Sequence, residues 1–189
     1  MNASAVLLTG GESRRMGQDK ATLVFRGKPL WQHQLQTLRE LEPTEIFVSA
    51  RSEPAWRPND VQFVADHAPS RGPLSGLAAA VTRITTPHLV ALAIDMPLMT
   101  ADYLRFLATA ATAGRGVIPL IDNRAEPLAA VYPREATAEL SFALGSGDFS
   151  LQSVVRALIA VDRLMPVRVA AADQALFRNL NEPVDVPAQ

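Results

Sequence analysis

Short apolar runs alternate with longer stretches of helical period along the chain. Ser4 to Leu8, Glu45 to Ser49, Val61 to Ala65, Leu89 to Ile94, Gly116 to Leu120 and Pro127 to Tyr132 have strand length and are rich in Val, Leu, Ile and Ala. That composition suits strands buried on both faces. Between them, Leu30 to Leu41 sets Trp31, Leu35, Leu38 and Leu41 at three- and four-residue spacing, with Gln32, Gln36, Arg39 and Glu40 opposite. The spacing predicts an amphipathic helix. The same period predicts helices over Leu74 to Ile84, Ala101 to Ala113 and Glu135 to Ala143, and another near Ser150 to Ala160. Thr100 is placed to cap the helix over Ala101 to Ala113 and Gly114 to stop it. Strands and helices in this alternation predict an α/β class in three layers, a mostly parallel central sheet with helices on both faces. Loops leaving the carboxyl ends of parallel strands share one edge, so the residues after Leu8, Ser49, Ala65 and Ile94 should gather there.

The length of 189 residues is that of one domain. The Pro-rich stretches Arg51 to Pro58 and Asn181 to Gln189 read as a loop and a tail, not as linkers between domains. Eighteen Lys and Arg against nineteen Asp and Glu leave a net charge of −1, so no global positive field exists to hold nucleic acid or an anionic membrane. Any anion site must be local. The absence of cysteine excludes disulfides, thiolate metal sites and cysteine nucleophiles. No apolar run reaches the roughly 18 residues of a membrane span, and the first residues lack a basic leader with a signal-length apolar core. A cytoplasmic location is expected.

The most informative segment follows the first strand. Thr9-Gly10-Gly11-Glu12-Ser13-Arg14-Arg15-Met16-Gly17-Gln18-Asp19-Lys20 joins three glycines to two arginines and a lysine. Glycines let successive amides turn inward and let the backbone approach an anion. The arginines bring planar forks for phosphate oxygens, and Lys20 a mobile point charge. The spacing is not that of the nucleoside-triphosphatase loop, since Gln18 follows Gly17. Taken alone, it leaves open a surface turn with solvated charges. Asp95 closes the apolar run Leu89 to Ile94 and precedes Met96-Pro97. A carboxylate there suits a hard cation such as magnesium, or a turn. Gly72-Pro73-Leu74-Ser75-Gly76 opens a helix with proline in its first turn; its free amides suit an anion or a nucleotide, or the segment is a plain helix start in which Gly76 permits close packing. His33, His67 and His88 have no ligand spacing, and Trp31 and Trp56 read as packing or lid residues.

Gly10 to Gly17 with Asp19-Lys20 and Gly27-Lys28-Pro29-Leu30-Trp31-Gln32-His33 resembles the opening of the molybdenum cofactor guanylyltransferases, the MobA family. The resemblance continues at Asp66, Gly72 to Gly76, Asp95-Met96-Pro97-Leu98, Pro127-Leu128, Ala130-Val131-Tyr132 and Asn179-Leu180-Asn181-Glu182-Pro183. It implies a Rossmann-like nucleotidyltransferase fold over 1–189, with a nucleotide-binding part about 1–100, a pterin-substrate part about 101–183 and a short tail. It also implies transfer of GMP from GTP to the terminal phosphate of Mo-molybdopterin, with magnesium as cofactor. Arg15, Lys20 and Asp95 are the catalytic residues so implied, with Asp95 on the metal. Leu8, Thr9, Gly10, Gly11, Gly17, Lys20, Ser49, Asp66, Gly72, Gly76 and Asp95 are implied around the nucleotide, Asn179 and Asn181 on the pterin side. Ser49 stands where the family commonly has asparagine, and Thr9 where it has alanine. Transient contacts with cofactor-synthesis proteins and recipient molybdoenzymes follow from the same resemblance. Two alternatives stay open: a cytidylyl or sugar-phosphate nucleotidyltransferase, and a non-catalytic protein that escorts the cofactor.

Overall fold

The computed structural model describes residues 2–10 and 19–180. In chain order they form β1 (Ser4–Leu8), β2 (Val24–Phe25), β3 (Lys28–Pro29), α1 (Leu30–Arg39), β4 (Ile46–Ala50), β5 (Gln62–Ala65), α2 (Pro73–Arg83) and β6 (His88–Ala93). Then follow α3 (Ala101–Ala110), β7 (Gly116–Ile121), β8 (Arg124–Ala125), β9 (Ala129–Pro133), α4 (Thr137–Ser146), α5 (Leu151–Ala160) and β10 (Leu164–Arg168). The strand order is β10-β7-β9-β6-β1-β4-β5, with β8 on β7 and with β2 and β3 as a separate ribbon. β1 pairs in parallel with β4 and β6, β4 with β5, and β7 with β10. β9 runs antiparallel between β6 and β7. The sheet is mostly parallel, as the alternation of strands and helices predicts.

The two-residue period of a strand divides the core in two. Ala5 and Leu7 of β1, with Val90 and Leu92 of β6, face the layer that holds Leu30, Leu35 and Leu38 of α1 and Leu104 and Leu107 of α3. Val6, Leu8, Leu89 and Ala91 face Leu74 and Leu77 of α2, Leu140 of α4 and Val154 and Leu158 of α5. Every residue of β1 is therefore buried, which explains an apolar run without alternation. Tyr132 of β9 is fully buried and donates its hydroxyl to the carbonyl of Pro127 at 2.8 Å; burial pushes its hydroxyl pKa up. Tyr132→Phe leaves that carbonyl without its side-chain donor and should cost about 1 kcal/mol, read from urea denaturation.

Thr100 caps α3 through its side chain, which accepts from the Tyr103 amide at 3.3 Å. Gly114 does not stop that helix. α3 ends at Ala110, past its last buried side chain, Leu107, and Ala111 is extended. Gly114, with φ +71°, turns the chain between Thr112 and Arg115, which exchange backbone hydrogen bonds at 3.0 and 2.9 Å. Among the described residues, no helix is long and apolar enough to cross a membrane.

Candidate active site

Parallel register brings the ends of β1, β4, β5 and β6 level. Leu8 stands beside Ser49 and Ala93, and Ala50 beside Ala65. The next residues are laced together: Thr9 N–H donates to Ser49 O at 3.0 Å, Asp66 N–H to Ala50 O at 2.9 Å and Ile94 N–H to Leu8 O at 3.0 Å. Thr9, Gly10, Asp66 and Asp95 thus share the carboxyl edge. The Thr9 hydroxyl is turned onto Ser49 O at 2.8 Å, so it ties β1 to β4.

Around Asp66, glycines make room for a carboxylate. The Ser49 hydroxyl, wholly buried, donates to Asp66 Oδ1 at 2.7 Å. A Cβ on Gly10 would lie 2.7 Å from Asp66 Oδ2, and one on Gly76 would lie 2.6 Å from Ser49 Oγ and 2.9 Å from Asp66 Oδ1. The space at these two glycines is filled by the protein's own side chains, the close packing that the sequence leaves open at Gly76. Asp66 Oδ2 itself is buried and has no hydrogen-bond partner among the described residues. Gly72 precedes α2 with φ +69° and ψ −152°, a conformation open almost exclusively to glycine. Ser75 braces this entry by accepting from the Arg71 amide at 2.7 Å.

The second cluster joins residues far apart in sequence. Asp19 caps the 3₁₀ turn Lys20–Thr22, its Oδ1 accepting from the Ala21 amide at 3.0 Å. From that turn Lys20 Nζ reaches Asp95 Oδ2 at 3.3 Å and Leu180 O at 3.2 Å. The Leu180 amide in turn donates to Asp95 O at 2.8 Å. The Lys20 and Asp95 side chains are each 22% exposed, shielded from bulk water yet open to a ligand. Trp56 Nε1 donates to Asp19 Oδ2 at 3.0 Å, and its ring stacks on Trp31 at 5.4 Å with 15° between planes. The two tryptophans form a brace behind the lysine turn.

Of the sequence-predicted site residues, Ser49, Asp66, Gly10 and Gly76 meet in one cluster, with Leu8 beneath Gly76. Lys20 and Asp95 meet in the other, and Asn179 is exposed beside Leu180. Gly11, Arg15, Gly17 and Asn181 lie outside the described residues. Sequence reasoning missed the Leu180 backbone, whose contacts carry no residue-type signal. It also missed the tie from Trp56 to Asp19; an indole in a Pro-rich polar loop was the available hint. His33 and His88 bond the carbonyls of Phe25 and Thr112. Near the same edge, burial pushes the Glu126 carboxyl above its usual range, against the pull of Arg124. Among the described residues no three His, Asp or Glu side chains converge into an all-protein metal cage. A single, partly exposed carboxylate such as Asp95 fits magnesium, which takes one or two protein oxygens and completes its shell from phosphates and water.

The family described as the MobA-like NTP transferase domain matches residues 5–176. A probable molybdenum cofactor guanylyltransferase of Opitutus terrae is 35% identical over 97% of this chain and 94% of the relative. A molybdenum cofactor guanylyltransferase of Syntrophotalea carbinolica is 31% identical over 96% of this chain and 88% of the relative. Among solved structures, the molybdopterin-guanine dinucleotide biosynthesis protein A of Archaeoglobus fulgidus superposes with a TM-score of 0.76 at 24% identity, covering 97% of this chain and 94% of its own.

Proposed function

The chain belongs to the MobA-like NTP transferase family, and on that footing we propose that it acts as a molybdenum cofactor guanylyltransferase. It transfers GMP from GTP to the terminal phosphate of Mo-molybdopterin and releases pyrophosphate. The observation that supports this reading best is the juxtaposition of the Lys20–Asp95 pair with the Asp66 carboxylate on one sheet edge.

The chemistry is an exchange of phosphorus–oxygen bonds. A phosphate oxygen of molybdopterin, already ionised at neutral pH, attacks the α-phosphorus of GTP as the bond to the bridging oxygen of pyrophosphate breaks. No side-chain base is needed, and the task is to hold two anions together and stabilise charge on the departing group. Lys20 is assigned to that charge. Arg15, on its chemistry and its place in the first loop, is assigned to phosphate oxygens. Magnesium, when bound, supplies a hard cation that neutralises phosphate charge, and Asp95 is the residue that would hold it. Asp66 is assigned to the base: an ionised carboxylate only accepts hydrogen bonds, and guanine offers it adjacent N–H donors at N1 and N2. Leu8, Thr9, Gly10, Gly11, Gly17, Gly72 and Gly76 are assigned to the nucleotide side. Asn179 and Asn181 are assigned to the pterin side, formed from the second half of the chain. Transient docking to cofactor-synthesis proteins and to recipient molybdoenzymes, in the cytoplasm, completes the proposal.

The test is pyrophosphate release by the purified protein with magnesium and Mo-molybdopterin, in parallel with GTP, CTP, ATP and UTP. Release with GTP is expected. Preference for CTP would move the protein to cytidylyl transfer. No release from any nucleotide, with GTP still bound and the pterin intact, would favour the escort role.

A further inference from the structure

We infer that Gln34, in the middle of α1, is a positioning residue for Asp95. Its side chain is wholly buried, and Nε2 donates to Ala93 O at 2.8 Å and to Met96 O at 2.9 Å. These carbonyls bracket Asp95 on the chain. The amide orientation follows from its partners, since a flipped side chain would turn Oε1 against both carbonyl oxygens. Neither carbonyl depends on Gln34 for a partner. Ala93 O also accepts from the Met96 amide at 3.5 Å, and Met96 O from the Met99 amide at 3.1 Å.

The remaining atom makes the case. Gln34 Oε1 is buried with no hydrogen-bond partner among the described residues, on a helix face whose other buried members are Leu30, Leu35 and Leu38. A buried, unpaired acceptor destabilises a fold, and an apolar side chain of similar length would fill the same place without that penalty. What the amide adds is a two-point clamp on the turn that aims the Asp95 carboxylate. The other ties to Asp95, from Lys20 Nζ and the Leu180 amide, act on the residue itself. Gln34 acts on the backbone to either side, which sets where the carboxylate points.

This inference rests on the role given to Asp95 above, and the test separates the two. Gln34→Met keeps length and approximate volume while removing both donors. The turnover number for pyrophosphate release should fall by about ten- to a hundredfold, as small misplacements of a reacting group do. The thermal midpoint should hold or rise. In ligand-free protein, hydrogen exchange at the Met96 amide should quicken about tenfold, as loss of the clamp frees the turn. Gln34→Leu is measured beside it, so that a packing fault of methionine is not mistaken for loss of the clamp. Unchanged turnover in either folded variant overturns the inference. So does loss of the cooperative melt in both, which would make Gln34 a structural residue. Should the wild-type protein release no pyrophosphate, the functional reading fails, and exchange at Met96 alone decides whether the clamp exists: faster exchange supports it, unchanged exchange overturns it.

Discussion

Lys20→Ala should lower the turnover number for pyrophosphate release by about 10²-fold, the loss typical of one donor aimed at transition-state charge. The ammonium has three protons. Two are directed at Asp95 Oδ2 and Leu180 O, at 3.3 and 3.2 Å, which leaves one donor for an anion. The lysine is also held from behind, because its turn is capped by Asp19 and Asp19 accepts from Trp56. In the role proposed above, this charge acts where negative charge grows, on the departing pyrophosphate. The KM for GTP should therefore change much less than kcat, the pattern of an interaction made mainly in the transition state. Lys20→Arg keeps the charge but replaces a compact ammonium by a broader planar fork, and should recover only part of the loss. Steady-state kinetics on variants with wild-type circular dichroism decide the matter. An unchanged kcat in folded Lys20→Ala would remove this residue from the chemistry, and a loss confined to KM would make it a binding residue.

The position of that lysine shows where sequence reasoning reaches and where it stops. Apolar runs such as Ser4 to Leu8 and Leu89 to Ile94 declare themselves, because a central strand covered on both faces tolerates little polarity. β10 does not, since Leu164-Met165-Pro166-Val167-Arg168 contains a proline and is only partly buried. It survives as the edge partner of β7, where a strand can spare one backbone donor. The ribbon of β2 and β3 is too short to carry a period. Within the site, the parallel sheet made it legible that Asp66 and Asp95 would share an edge. The meeting of Lys20 with Asp95, 75 residues away, and with Leu180, 160 residues away, is a product of tertiary packing. Local pattern does not contain it. Gln34 is an intermediate case: a polar residue among Leu30, Leu35 and Leu38 is visible as an anomaly, but its partners are not.

Gly76→Ala should raise the GTP dissociation constant by about ten- to a hundredfold, the equivalent of one hydrogen bond to a charged group, while leaving the fold intact. On helix propensity alone, alanine within α2 should stabilise the protein by up to about 1 kcal/mol. The surroundings oppose it. The new Cβ would stand 2.6 Å from Ser49 Oγ and 2.9 Å from Asp66 Oδ1, closer than packed atoms sit. Ser49 is wholly buried in β4, so its hydroxyl can relieve the 2.6 Å contact only by rotating within the core, away from Asp66. Asp66 follows β5 and is partly exposed, so its carboxylate must give way, and the bond from Ser49 at 2.7 Å breaks. The Asp66 carboxylate, assigned above to the base, then loses its aim. Ser49→Ala removes the same bond without the clash, so Asp66 stays near its place and the loss of affinity should be smaller. Titration calorimetry with GTP on both variants, beside thermal melts, gives the comparison. Wild-type GTP affinity in a folded Gly76→Ala protein would show that the orientation of Asp66 plays no part in nucleotide binding, and would withdraw its assignment to the base.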